Sequence, residues 1–408
     1  MFKSLVLFLP KKTSEFVKTQ VNLNSQKRKG RKYTKNFKKF CLNAFFSGSE
    51  SYSFWSKTFS LPTPRSLKRS IQNLQIMPGL HDFIFEFLKI KVEKFPQLSK
   101  FCNICIDTAS IKSNLFYMIN RDEVIGFEDY GDGKKSILPA GEVAVVMVKS
   151  TMDKWQQPLA YFLLNKSFDS EKSKCVILDC IYKLQSIGLI VLSLITDMGS
   201  DYRKMIKLLG VTKEKPYFTV ENQKIFYMFD PPHDIKACRN NFMENNIFVN
   251  NNLIDWKWVQ KTYEYDQNNL HYKLVPKLGV NHITPNNFQK MRVYLAVQVL
   301  SNTMASAIRT HVQLKNFTED ALHTATFIEY MDGLFDIFNS SGGPKEFNKP
   351  FTKSPIQKTF LLNAKKYLST ITVLNSKGVD ITNNIVCFKG WLHNIKSLNQ
   401  LWTYTTDK

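Results

Sequence analysis

Gly188-Leu-Ile-Val-Leu-Ser-Leu-Ile-Thr-Asp197 is a continuous apolar run that closes on an acid. A strand covered on both faces, as parallel strands are, reads as an unbroken hydrophobic stretch and not as an alternation. Immediately before it, Ser170 to Ile187 places Val176, Ile177, Cys180, Ile181 and Leu184 on one side of a helix. Immediately after it, Asp201 to Leu209 begins another helix. Helix, buried strand, helix predicts a layered α/β domain with Asp197 at the carboxyl end of a central strand.

Working outward, Phe101-Cys-Asn-Ile-Cys-Ile-Asp107 reads as a strand, and Leu115–Asn120 with Glu123–Tyr130 as a hairpin about the turn Arg121-Asp122. Gly141–Val148 and Trp155–Leu164 supply further strands, and Lys224–Phe229 a later one. Antiparallel strands, then helix, parallel strand and helix, is the order of an RNase H-like α/β core. Residues 220–345 are otherwise mainly helical, Gly342–Pro350 is a loop, and the last 58 residues read as helical with turns. No phosphate-binding G-x-x-x-x-G-K-[ST] loop and no internal repeat is present.

The 408 residues suffice for two or three domains, and 43% hydrophobic with 13% aromatic content excludes a disordered chain. The 32 Phe residues point to aromatic-filled cores. The net charge of +22 calls for a polyanionic partner, with nucleic acid the default. Residues 1–75 carry 16 Lys/Arg against Glu15 and Glu50, a net of 16 − 2 = +14, so most of the excess sits in the first fifth of the chain. An acidic membrane surface is the competing partner, but no long amphipathic basic helix stands out. Seven cysteines without a regular framework indicate free thiols in a reducing compartment. The apolar start, Met1 to Leu9, is short and runs into Pro10-Lys-Lys, which speaks against a secretory signal, and no stretch approaches the length of a membrane span.

Residues 1–30 read as a basic, disordered tail ending in Lys27-Arg28-Lys29-Gly-Arg31-Lys32, either a nuclear import signal or a phosphate-contacting arm. Three short helices follow: Tyr33–Phe46, Ser49–Phe59, and one that starts at Pro64 behind an N-cap at Thr63 and runs to Asn73. The last carries Arg65, Lys68 and Arg69, which suits a helix-turn-helix reader of DNA. Its bland counterpart is a small helical domain with a basic surface.

Two carboxylates stand where a phosphoryl-transfer enzyme would place them. Asp107 near the end of the first strand and Asp197 at the end of the parallel strand converge if those strands are neighbours. Such a pair can hold Mg²⁺ or Mn²⁺ through oxygen ligands. Each acid also has a structural reading: Asp197 as a cap of the next helix, Asp107 as an edge-strand residue. Cys102-x-x-Cys105 lacks a second pair of Cys or His, and strand alternation puts the two thiols on opposite faces, so both read as core or edge thiols. Asp230-Pro-Pro-His-Asp-Ile-Lys-Ala-Cys-Arg-Asn240 follows a strand and opens a helix. There His233 faces the acids or merely completes a proline-fixed turn, and both readings stand.

Taken in order, these strings resemble the P-element-type DNA transposase family, which includes the THAP-domain transposases. The resemblance runs over residues 31–403. It rests on Tyr52, Leu61-Pro62 and Pro78-Gly79; on Ile104-Cys-Ile-Asp107 through Ser110-Ile-Lys112; on Val124–Gly131 and Trp155-Gln-Gln-Pro158; on Thr196-Asp-Met-Gly-Ser200; on Asp230–Asn240; and on His282-Ile283, Lys290–Val293, Ala296–Ser301 and Leu334–Ser340. It implies an α/β protein with an N-terminal helix-turn-helix region (31–97), an RNase H-like core (98–244), and a mainly α-helical insertion domain (245–408) that binds GTP in the family. It also implies Asp107 and Asp197 as catalytic metal ligands, DNA as partner, a homo-oligomer as a possible state, and the nucleus as location. Lys277 and His282 are candidate nucleotide contacts. Three departures accompany it. Thr108-Ala109 follows Asp107 where the family has Glu-Met, no Cys-Cys-Cys-His finger precedes residue 31, and Phe388–Leu401 resembles the stretch shortly before the family's catalytic Glu, which does not occur before Lys408. With two of three acids present, the expectation is a transposase, or a transposase-derived DNA-binding protein without catalysis.

Overall fold

Short polar helices and a long apolar sheet sort the chain into two units, Met1–Met77 and Pro78–Lys408. The computed structural model describes residues 8–71, 76–119, 122–268, 272–340 and 342–406, with the side chains of Arg28 and Lys135 outside that description.

The first unit holds helices α1 (Lys11–Asn24), α2 (Lys35–Ser47), α3 (Ser49–Thr58) and α4 (Pro64–Ile71). Thr34 caps α2 by accepting from the Phe37 amide at 3.2 Å, and Gly48 separates α2 from α3. Thr63 accepts from the Ser66 amide at 3.2 Å, with Pro64 opening α4 where its missing N–H costs nothing. Residues 72 and 73, the expected end of that helix, lie outside the described residues. Leu23, Phe37, Cys41, Tyr52 and Leu67 form the core. The expected disordered tail is corrected here. Most of residues 1–30 that are described form α1, because Leu23 is buried and the Phe16 ring packs on Phe37, Phe40 and Phe59 at centroid distances of 6.0, 5.9 and 5.3 Å. The basic and amide residues around those apolar positions hid the helix from a compositional reading.

The second unit is built on a sheet. Its strands are β1 (Gly79–Leu80), β2 (Phe101–Ser110), β5 (Phe127–Asp129), β6 (Lys135–Pro139), β7 (Glu142–Ser150), β8 (Gln156–Leu164), β9 (Ile190–Thr196), β10 (Tyr217–Val220) and β11 (Gln223–Phe229); β3 (Phe116–Met118) and β4 (Glu123–Ile125) pair apart from it. The order is β10-β11-β9-β2-β7-β8-β5-β6, with β1 against β8. β11, β9 and β2 run parallel, and β7 and β8 continue antiparallel. The expected hairpin is therefore split. Gly126 at φ +106° turns the chain out of β4, and a Cβ there would stand 2.2 Å from the Asn114 carbonyl oxygen, so β5 joins the main sheet instead of prolonging β4. Asn120 and Arg121, which belong to the expected hairpin, lie outside the described residues.

Helices α5 (Asp82–Val92), α6 (Ser170–Ser186) and α7 (Ser200–Leu208) cover this sheet, with Phe85, Leu88, Ile177, Cys180, Ile181, Leu184 and Met205 in one core with Ile104, Val146 and Leu194. After β11 come α8 (Pro231–Glu244), β12 (Asn246–Val249), β13 (Asn252–Ile254), α9 (Lys257–Asn268), α10 (Val280–Ile283), α11 (Asn287–Lys290), α12 (Val293–Val299), α13 (Asn302–Gln313), α14 (Ala321–Phe338), α15 (Pro355–Ser369), β14 (Ile371–Leu374) and α16 (Val386–Thr406). The last 58 residues are not only helix and turn: β14 pairs with β12 in a sheet of order β13-β12-β14. Ile-Thr-Val-Leu is too short to show a period, and its partner lies far upstream, so local sequence does not reveal it. The chain then returns to the main sheet. Asn394 of α16 accepts from the Phe229 amide at 2.8 Å and donates to its carbonyl at 2.9 Å, satisfying the end of β11 as a paired strand would. Among the described residues no helix is long and apolar enough to cross a membrane.

Candidate functional site

Register builds the site. Ile106 of β2 lies opposite Thr196 of β9, and Phe229 of β11 lies opposite Thr196 on the other side. The next residue on each strand is an acid: Asp107, Asp197 and Asp230. Three aspartates thus line the carboxyl ends of three adjacent parallel strands, where open α/β sheets place their ligands. The parallel pairing of β9 stops at Thr196 while β2 continues along β7 to Ser110, so Asp107 emerges beside the end of β9.

Each acid is held by backbone. Asp107 accepts from the Thr108 amide at 2.8 Å, and Asp197 from the Gly199 amide at 2.7 Å. A Cβ on Gly199 would stand 2.9 Å from the Asp197 carboxylate, so glycine lets that loop close over the acid. Asp230 caps α8, accepting from the His233 amide at 3.2 Å and contacting His233 Nδ1 at 2.7 Å. One ligand atom from each of Asp107, Asp197 and His233 lies within 4.8 Å of the others, the one such group of three among the described residues.

Electrostatics suit a cation. Burial raises the Asp197 carboxyl above its ordinary range, against the pull of the Gly199 amide and His233, while Asp107 and Asp230 push it further up. Glu142 on β7 is raised by burial first and then by the charge of Asp197. The hydrogen bond to Asp230 raises the His233 imidazole, against burial. Carboxylates that repel one another at a strand end gain most from a divalent ion between them. Oxygen donors with one nitrogen fit such an ion.

The structure therefore brings Asp107 and Asp197 together and adds Asp230 and His233, which sequence reasoning left undecided. A signal was available: Phe229-Asp230 repeats the pattern of an apolar strand closing on an acid seen at Thr196-Asp197. Cys102 and Cys105 do face opposite sides of β2, and burial pushes their thiols up to about 12 and about 11, so both are core or edge thiols in their protonated form. Lys277 is exposed. His282 is buried, with Nδ1 accepting from the Gly279 amide at 3.0 Å in the turn that opens α10 and Nε2 against Gln298 Oε1 of α12 at 2.7 Å, so both ring nitrogens serve the fold. In the first unit Lys27, Lys29, Lys32, Arg65, Lys68 and Arg69 are exposed. Arg28 is described by its backbone alone. Arg31 is half-buried and donates to the Leu23 carbonyl at 2.9 Å, tying down the end of α1.

A sheet of this order, carrying acids at the carboxyl ends of its central parallel strands, is an RNase H-like core. Residues 76–210 match the family model for the TNP-like RNase H N-terminal domain, residues 232–350 that for the TNP-like GTP-binding insertion domain, and residues 3–69 that for the helix-turn-helix domain of transposable element P transposase-like proteins. The chain is 26% identical over 374 residues to the Transposable element P transposase of Drosophila melanogaster, covering 90% of this chain and 46% of that protein. It is 27% identical over 395 residues to the human DNA transposase THAP9, covering 91% and 42%. Its fold is similar to the Drosophila P element transposase strand transfer complex, with a TM-score of 0.74 and 25% identity over 97% of this chain and 86% of that one. The chain belongs to the P-element-type transposase family. It spans less than half the length of the curated relatives it matches.

Proposed function

We propose that this protein binds DNA and, with a divalent metal ion held by Asp107 and Asp197, takes part in DNA strand cleavage and transfer in the nucleus. The observation that carries the reading is the meeting of Asp107, Asp197 and His233 within 4.8 Å at the carboxyl ends of parallel strands. Bound there, Mg²⁺ or Mn²⁺ supplies Lewis-acid stabilisation of a phosphate oxygen and an activated attacking oxygen. Asp107 and Asp197 would anchor the ion, with the Thr108 and Gly199 amides holding their carboxylates in place.

Lys27, Arg28, Lys29, Lys32, Arg65, Lys68 and Arg69 are the proposed phosphate contacts. α4 presents its basic residues while Leu67 anchors it in the core. A guanine nucleotide bound by residues 232–350 accompanies this reading, with Lys277 as a candidate contact and His282 supporting the fold of α10. Self-association is part of the same proposal.

The test is metal-dependent nicking of duplex DNA by the chain and by Asp197→Asn, with DNA affinity measured at several salt concentrations. Cleavage by the first and not the second is expected, with affinity falling by orders of magnitude between about 50 and 200 mM salt. Cleavage unchanged in the variant sinks the metal site. A flat salt response sinks the basic first unit as the DNA footprint. Tight DNA binding without cleavage by either protein leaves a DNA-binding member of the family.

A further inference from the structure

We infer that His233, held by Asp230, is a third ligand of the metal at Asp107 and Asp197, so that the site takes an imidazole nitrogen beside its two carboxylates. The inference rests on the metal-holding reading above and adds a ligand and a metal preference to it.

Three independent features converge on this residue. The first is distance: its ligand atom belongs to the same 4.8 Å cluster as the two carboxylates. Donors on bonds of about 2.1 Å lie at most about 4.2 Å apart across a metal, so a small inward adjustment of side chains closes the set. The second is the Asp230 contact. With Nδ1 at 2.7 Å from the Asp230 carboxylate, the ring is held in the tautomer that leaves the Nε2 lone pair for a metal. A carboxylate behind a histidine is the arrangement that orients metal-bound imidazoles and raises their basicity. The third is backbone. Asp230 is the N-cap of α8, and Pro231 and Pro232 occupy its first turn. Two fixed φ angles set where His233 leaves the helix, and Asp230 is set in turn by its amide donating to the Thr196 carbonyl at 2.8 Å. The ring is thereby referenced to β9, the strand that ends in Asp197.

The chemical consequence is selectivity. Mg²⁺ takes oxygen ligands and keeps its waters, whereas first-row transition ions gain from imidazole. A site of two carboxylates and one histidine favours the transition ion over Mg²⁺ more than the carboxylates alone do.

The experiment is Mn²⁺ titration of the full chain followed by electron paramagnetic resonance, with pulsed detection of ¹⁴N coupling to the bound ion. Wild type, His233→Gln, Asp230→Asn and Asp107→Asn are compared, and melting curves check that each folds. The expected result is one tight Mn²⁺ with nitrogen coupling in wild type. Asp107→Asn removes that ion. His233→Gln removes the coupling and narrows the preference for Mn²⁺ over Mg²⁺. Asp230→Asn weakens Mn²⁺ binding by about ten- to a hundredfold. Bound Mn²⁺ without nitrogen coupling in wild type overturns the assignment of His233 and leaves the carboxylate site standing. No bound Mn²⁺ at all overturns the metal-holding reading together with it. Should His233→Gln not fold, His233→Asn takes its place, and nitrogen coupling that persists with that side chain overturns the assignment.

Discussion

The first unit and the second solve the problem of stability differently. In Met1–Met77 the buried apolar set among the described residues is Leu23, Phe37, Cys41, Tyr52 and Leu67, while Phe40, Phe46, Phe54 and Trp55 stay more than half or about half exposed. A core of that size leaves little margin, because small domains bury a smaller fraction of their surface. Side chain to backbone hydrogen bonds make up part of the difference. Tyr52 donates to the Pro62 carbonyl at 2.8 Å, Tyr33 to that of Leu61 at 3.1 Å, and Gln20 accepts from the Ser60 amide at 2.7 Å. In Pro78–Lys408 two large cores, one on the sheet and one among the later helices, hold the strand ends that carry the acids. The larger unit can support mutually repelling carboxylates at its site; the smaller one offers mainly a charged and aromatic surface.

Truncating one anchor in each core tests that contrast most strongly. Trp391 is fully buried and lies 5.8 Å from the Phe338 ring, so Trp391→Ala is expected to cost about 3–5 kcal/mol. Leu67 is equally buried in the first unit, and Leu67→Ala is expected to cost about 2–4 kcal/mol. Calorimetry should show Trp391→Ala lowering a large, high-enthalpy transition that remains cooperative. Leu67→Ala should remove a smaller transition and with it the salt-dependent part of DNA binding. Equal shifts of a single transition by both variants would dissolve the contrast.

A smaller effect bears on the tolerance of the larger core for charge. Asp332 on α14 is pushed up to about 6 from 3.8, chiefly by burial and then by the charge of Asp336, against Lys345 and the Asn302 amide. Its folded value lies above its unfolded one, so the folded state keeps a proton that the unfolded chain releases between about pH 4 and 6. The contribution of Asp332 to stability is therefore fully present below about pH 4 and is lost as pH rises through about 6. Asp332→Asn keeps an oxygen for the Asn302 amide and avoids the buried charge. It should stabilise by about 1–3 kcal/mol at pH 7.5 and not at all at pH 3.5. Thermal unfolding at the two pH values checks this, and a gain at pH 3.5 of the same size would remove burial of charge as the cause.

The same contrast governs what could be read from sequence. The unbroken run before Asp197 and the strand before Asp107 were legible because parallel strands have no polar face to interrupt them, so the RNase H-like order and the expectation that the two acids converge could be read from the chain, while each acid kept a structural reading beside it. β14 was not, since four residues carry no period and the pairing with β12 is long-range. α1 was not, because its few apolar contacts sit among lysines and amides. Asp230 and His233 lay in between. The Asp-Pro-Pro-His string announces a capped helix, but only the register of β11 on β9 shows that this cap sits beside Asp197. Residue types could be seen in advance; their meeting depends on strand order.

The smallest effect asks whether the small core makes local contacts count for more. Thr34→Ala removes the hydroxyl that caps α2, at a cost of about 1 kcal/mol. Ser301 caps α13 in the larger unit by accepting from the Met304 amide at 3.3 Å, and Ser301→Ala should cost a similar amount. Equal free energies divide by unequal unfolding entropies. The first unit, at the size of a 60–100-residue domain, should drop in Tm by roughly 4–8 °C, and the larger unit by no more than roughly 2–4 °C. Because α2 shares its core with α4, the Thr34 variant should also lower DNA affinity near its melting range while Ser301→Ala leaves it unchanged. Matching Tm shifts for the two caps would mean that the units do not unfold as separate bodies, and the difference in margin would then lie within one cooperative fold.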